Sequence, residues 1–138
     1  MDISKFAIAS GSMKMELRDP NTNVVLRDKK GKALITFDLL SVESSEFKKV
    51  ERKQRDKFLK MQSLNRGKIK LSSDELDEDQ FTKISSCVLG WSGMELNGKD
   101  LNYDKSNVRK ILTEDEFGWI KDQIVDYIEE RENFTKAS

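Results

Sequence analysis

The sequence contains no histidine and a single cysteine, Cys87. Without histidine there is no Ser-His or Cys-His nucleophile pair, and with one cysteine the usual zinc sites are excluded too. No intrachain disulfide can form. Cys87 lies beside Ile84, Val88 and Leu89, which reads as a small buried hydrophobe rather than a reactive thiol. No apolar run is long enough to span a bilayer. Met1-Asp2-Ile3-Ser4-Lys5-Phe6 lacks the basic and apolar regions of a signal peptide, so a cytoplasmic location is expected. Neither sign of charge is in excess: 25 Lys plus Arg stand against 25 Asp plus Glu. That balance argues against bulk attraction to nucleic acid or an anionic membrane. Asp74 to Asp79 lacks the glycine and the bidentate Glu of a calcium loop. Gly90-Trp91-Ser92-Gly93 lacks the lysine spacing of a phosphate cradle. No catalytic residue, cofactor or metal is expected, and the chain reads as non-enzymatic.

What is present is a polar but foldable chain of 138 residues, 36% charged and 36% hydrophobic. Its length suits one domain with a small core. Residues 1–12 read as a leader, broken by Ser10-Gly11-Ser12. Residues 13–40 read as an antiparallel β meander. Met13 to Arg18 alternates with period two, Val24-Val25-Leu26 is a second strand, and Ala33 to Leu40 a third. Asp19-Pro20-Asn21-Thr22 and Lys29-Lys30-Gly31-Lys32 supply the turns. The fold class expected is α+β, with helices covering one face of the meander.

A basic helix is predicted over 45–66, with N-cap candidates between Ser41 and Ser45 and a stop at Gly67. Phe47, Val50, Phe58, Met61 and Leu64 share a stripe, and Gln54 fills the missing turn. From Glu46 to Lys70 there are ten Lys or Arg against three acids. An acidic helix is predicted over 73–89, with Ser72-Ser73-Asp74-Glu75 as its capping box and Leu76, Phe81, Ile84, Val88 and Leu89 on its apolar side. Trp91 is expected in a turn between helices, buried against the last one. Asn97-Gly98 predicts a two-residue hairpin turn within 91–103, since both residues tolerate positive φ. Asp104 or Ser106 caps a short helix over 105–112. Thr113-Glu114-Asp115-Glu116 reads as a capping box opening a C-terminal helix over 114–132. Phe117, Ile120, Ile124, Tyr127 and Ile128 form its stripe. Trp119 lies just off that stripe, where it either widens the core or forms an exposed anchor.

Candidate contact residues for a partner are Lys48, Arg52 and Arg55 on the basic helix, Trp119, and Phe134 at the C-terminal end. The basic helix has three readings. It is a solvated face, a protein-binding face, or a track for phosphates over residues 48–70. No aromatic stacking platform accompanies it, which disfavours nucleic acid.

An ordered set of residues resembles a known family. Trp91-Ser92-Gly93, Leu96-Asn97-Gly98, Leu101, Tyr103, Asn107 and Leu112 come first. Trp119-Ile120, Gln123-Ile124 and Arg131-Glu132-Asn133-Phe134 follow. Together they are similar to the C-terminal half of tail assembly chaperones of long-tailed siphophages and related prophages. Ile3-Ser4-Lys5-Phe6, Leu17-Arg18-Asp19-Pro20 and the Ser-rich entry to the basic helix resemble the family as well. The basic-to-acidic middle departs from it most. The resemblance implies a cytoplasmic, non-enzymatic protein that binds the tape measure protein, keeps it soluble and helps recruit the tail tube protein. It also implies absence from the finished virion, and that this chain is the short form where a frameshifted longer one exists. No site residues carry over from the family. Weak self-association between the basic and acidic blocks is expected. The alternatives are a nucleic-acid-binding regulatory protein and a structural tail subunit.

Overall fold

A computed structural model describes residues 1–68 and 71–136. The last two residues of the basic block, Ile69 and Lys70, lie outside them. The architecture is α+β, as expected: among the described residues there are a three-stranded antiparallel sheet, a small separate hairpin and four α-helices. Strand β1 (Met13–Glu16) pairs with β2 (Thr36–Leu39), which pairs with β3 (Val88–Ser92).

Two strand assignments differ from the expectation. Val24-Val25-Leu26 is not a strand of the sheet. It is held by single bridges, Arg18 to Val25 and Arg27 to Ala33. Asp19 accepts from the Asn21 amide at 2.7 Å, and Asp28 accepts from the amides of Lys30 and Lys32 at 2.8 and 3.0 Å. These two turns leave too few residues between them for a ladder, so β1 pairs directly with β2 across the excursion. The third strand comes from 88–92, part of which the apolar pattern assigns to the helix predicted over 73–89. That helix ends at Ser85. A short apolar run satisfies helix and strand templates equally, and pairing with β2 decides between them. The register shifts between Asp38 and Leu39, whose partners are Gly90 and Val88. Leu89 is the extra residue of this bulge and is exposed.

The sheet has one apolar face. Met15, Phe37, Leu39 and Val88 are buried there, while Lys14 and Asp38 pair across the opposite face at 3.2 Å. Helix α2 (Ser73–Ser85) contributes Ile84 to the core, α3 (Lys105–Thr113) contributes Val108, Ile111 and Leu112, and α4 (Gly118–Glu129) contributes Ile120, Ile124 and Ile128. Helix α1 (Ser45–Leu64) contributes no fully buried residue at all.

The start signals were mostly legible. Ser44 accepts from the Phe47 amide, Ser72 from the Glu75 amide and Asp104 from the Asn107 amide. Thr113 is the exception. It is the last residue of α3, and its hydroxyl donates to the Arg109 carbonyl at 2.6 Å, so it caps nothing. A 3-10 turn at Asp115–Phe117 leads instead into α4, which ends at Glu129 and has no side-chain cap. Asn97-Gly98 turns between β4 (Glu95–Leu96) and β5 (Lys99–Asp100) with φ of 54° and 79°. The leader docks by pairing with the C-terminal tail: the Ala9 amide donates to the Phe134 carbonyl at 2.7 Å, and the Lys136 amide to the Ala7 carbonyl at 3.1 Å.

Candidate functional site

The residues that carry the family resemblance are fastenings of the fold. Trp91 sits on β3 opposite Phe37, with ring centroids 5.8 Å apart. Tyr103 meets its other side edge-on at 5.3 Å, and the indole Nε1 donates to the Leu101 carbonyl at 2.7 Å. Trp91 is therefore half-buried between the sheet and the β5–α3 segment, not buried in a turn against the last helix. Tyr103 donates in turn to the Val88 carbonyl at 2.7 Å. The Asn107 amide nitrogen donates to the Asn102 carbonyl at 2.8 Å, closing the entry to α3. Asn133 donates to the Tyr127 carbonyl at the end of α4.

Gln123 has a role that its pattern did not announce. Its side-chain amide accepts from the Arg18 N–H and donates to the Arg18 C=O, both at 2.9 Å. It stands in for a neighbouring strand just beyond β1. The Tyr127 hydroxyl donates to the Lys14 carbonyl on β1 itself at 3.2 Å. With Tyr103 on Val88, side chains thus occupy backbone groups of both outer strands. Unpaired edge groups are what an added strand would use, so both edges are blunted. Only the three-dimensional meeting of α4 and β1 reveals this. In sequence Gln123 looks like any polar residue of a helix.

One proposed contact residue is corrected by burial. Phe134 is fully buried, with its ring edge-on to Tyr127 at 5.4 Å, so it cannot reach a partner. The leader is bonded to its backbone through the Ala9 amide. Trp119 is half-buried and packs against the core.

Lys48, Arg52 and Arg55 are exposed on α1, as expected. The main neighbour of α1 is α2, and Gln54 donates to the Asp79 carbonyl at 2.9 Å where the two antiparallel helices meet. Beyond that point α1 runs on with Phe58, Leu59 and Leu64 exposed and Met61 half-buried. Leu76 is exposed on α2. None of the ion pairs among the described residues involves a cation of α1. One acid of α2 is used elsewhere: Glu78 receives a bidentate pair from Arg109 at 2.8 and 2.9 Å, which holds its carboxyl below the usual range. Arg109 also lies 4.2 Å from the centre of the Phe81 ring, so α2 is fastened to α3 by its acidic side.

The remaining chemistry is sparse. Burial pushes the Cys87 thiol up to about 11, and its sulfur lies 3.7 Å from the Ser41 carbonyl. A thiol so placed is not a nucleophile at neutral pH. Among the described residues no cluster of carboxylate and thiol groups is arranged to hold a metal ion. No helix among them is long and apolar enough to cross a membrane.

Compared with protein-family models, curated proteins and solved structures, the chain matches none.

Proposed function

We propose that the protein is a tail assembly chaperone of a siphophage or prophage. It covers the tape measure protein and keeps it soluble until tail tube subunits polymerise around it. The observation that carries this reading is α1: a helix of 20 residues with no buried side chain, charged on most sides and apolar along its outer half. A helix this exposed is marginal by itself in water and gains stability from a partner laid against it. A long helical protein offers apolar stripes of the same period, and helix-in-groove packing covers such stripes reversibly. Several copies along one long partner add avidity. The family resemblance supplies the partner's identity. In this reading the protein acts in the host cytoplasm and is left out of the virion.

Self-association belongs to the same proposal. The cations of α1 are free of ion pairs among the described residues, so they are available to the acidic block of another copy. Such attraction is screened within about 8 Å at physiological ionic strength, so high salt favours monomers. Lys48→Glu, Arg52→Glu and Arg55→Glu together should weaken the association while leaving the fold intact.

Coexpression tests the reading. The tape measure protein should gain soluble yield with this protein, in a complex holding several chaperones per partner. Equal solubility with and without it would sink the proposal. Recovery of the protein in mature virions would favour a structural tail subunit. A nanomolar, sequence-selective shift of labelled DNA or RNA would favour the regulatory alternative, since non-specific binding is roughly micromolar or weaker.

A further inference from the structure

We infer that the outer half of the α1–α2 hairpin is a dimer interface, covered by the same surface of a second copy. The inference gives the self-association proposed above a definite geometry and rests on that part of the reading alone. Phe58 and Leu64 on α1 and Leu76 on α2 are exposed, and Met61 is half-buried. A groove of about 330 Å³ has Phe58, Met61 and Leu71 as its apolar lining. Its polar lining carries both signs, Arg55, Lys57 and Lys83 with Glu51 and Asp79.

Two observations name a second copy as the occupant. First, the charges are sorted by helix. Over 55–64, α1 carries Arg55, Lys57 and Lys60 against Asp56 alone. Over 73–79, α2 carries Asp74, Glu75, Asp77, Glu78 and Asp79 and no cation. Second, these charges do not meet within one copy. Among the described residues the three cations take part in no ion pair, and of the five acids only Glu78 does, with Arg109 of α3. A two-fold axis along the hairpin brings the two signs together. It sets α1 of each copy beside α2 of the other, so that every helix is antiparallel to both its neighbours, as in a four-helix bundle. The cations of each copy then face the acids of the other, and Phe58, Leu64 and Leu76 of the two copies meet across the axis. Packing α1 against α1 would instead set cation on cation. The contact is isologous, so it consumes the patch on both copies and assembly stops at two.

Sedimentation equilibrium of the full chain is the test. The protein should distribute between monomer and dimer with no larger species. Raising salt from about 10 mM to about 1 M, where the Debye length falls from about 30 Å to about 3 Å, should weaken the dimer roughly tenfold or more. Phe58→Ser combined with Leu64→Ser should also weaken it roughly tenfold or more, since the dimer buries both side chains. The far-UV spectrum should not change, because both are exposed in the single copy. Arg55→Glu with Lys57→Glu should weaken the dimer too, and so should Glu75→Lys with Asp77→Lys. Mixed in equal amounts, these two charge variants should recover the wild-type affinity as a heterodimer, since each reversed helix then faces a reversed one. A monomer at every concentration and salt, a dimer that tightens with salt, or a mixture that does not recover overturns the inference. If a salt-sensitive oligomer persists in the Ser variant or grows past two copies, self-association stands and the hairpin geometry fails. If the dimer forms as described but the tape measure protein gains no soluble yield on coexpression, the chaperone reading fails and the dimer stands.

Discussion

Replacing Gly93 by alanine should destabilise the domain by about 3–4 kcal/mol, because two costs coincide at one atom. Gly93 follows β3 with φ of +83°, in the left-handed region where a Cβ costs roughly 1–2 kcal/mol. A Cβ there would also overlap the Leu34 carbonyl oxygen and lie 3.0 Å from its carbon and 3.4 Å from the Ile35 Cα. These are backbone atoms at the entry to β2, and they cannot rotate away as a side chain would. Moving them strains two hydrogen bonds, Leu34 N–H to the Leu26 carbonyl at 2.8 Å and Leu17 N–H to the Ile35 carbonyl at 3.0 Å. Each is worth about 1 kcal/mol net. Against a total stability on the order of 10 kcal/mol, the loss is easily measured. Urea unfolding followed by far-UV circular dichroism should show a lower midpoint with an unchanged slope. Gly98→Ala is the matched control. It has φ of +79° with nothing within 4 Å of the added carbon, so only the conformational cost of about 1–2 kcal/mol applies. If Gly93→Ala costs no more than Gly98→Ala, the close approach of β3 to the Leu34 backbone is not what requires glycine there.

Trp91→Ala should cost about 3 kcal/mol, the low end of the range for emptying a large aromatic site, because the ring is half-buried and also loses its bond to Leu101. A change below about 1 kcal/mol would mean that the ring does not join the sheet to the Leu101–Tyr103 segment. Gln123→Leu should cost about 1–2 kcal/mol by leaving the Arg18 N–H and C=O without their partner. Light scattering should also rise on warming, since the chain next to β1 is then open to another strand; unchanged scattering and stability would show that the amide protects nothing. Cys87 should resist a thiol reagent at pH 8 in the native protein and react at once in urea. Its thiol titrates near 11 when folded and near 9.0 when unfolded, so between those values the native state holds more protons. Stability should therefore fall as pH rises through that window, and a Cys87→Ala variant should lose this part of the slope.

Local physics made several features readable in advance. Asn97-Gly98 takes two positive φ angles because the turn needs them, whatever surrounds it. Ser44, Ser72 and Asp104 cap helices through amides only three residues away. The buried row of Ile120, Ile124 and Ile128 follows from helical period alone. The absence of histidine excludes Ser-His and Cys-His nucleophile pairs from composition alone.

Other features depend on groups far apart in the chain, and no local pattern encodes them. Val88 to Ser92 became a strand because Thr36–Leu39 lay ready to pair with it. Phe134 became core because the leader crosses it and Tyr127 meets its ring. Gln123 acquired its partner at Arg18 across more than a hundred residues. The exposure of Phe58 and Leu64 was decided the same way. Their spacing on α1 predicts a face to be covered, but α2 runs alongside without closing over the outer turns. The sequence by itself determined where helices and turns begin and which sides of them are apolar, because those are short-range steric and hydrogen-bonding matters. Which apolar side is buried, and which is left for another molecule, was settled only by packing. Burial depends on the competing claims of every element for the same core, and that competition is resolved in three dimensions.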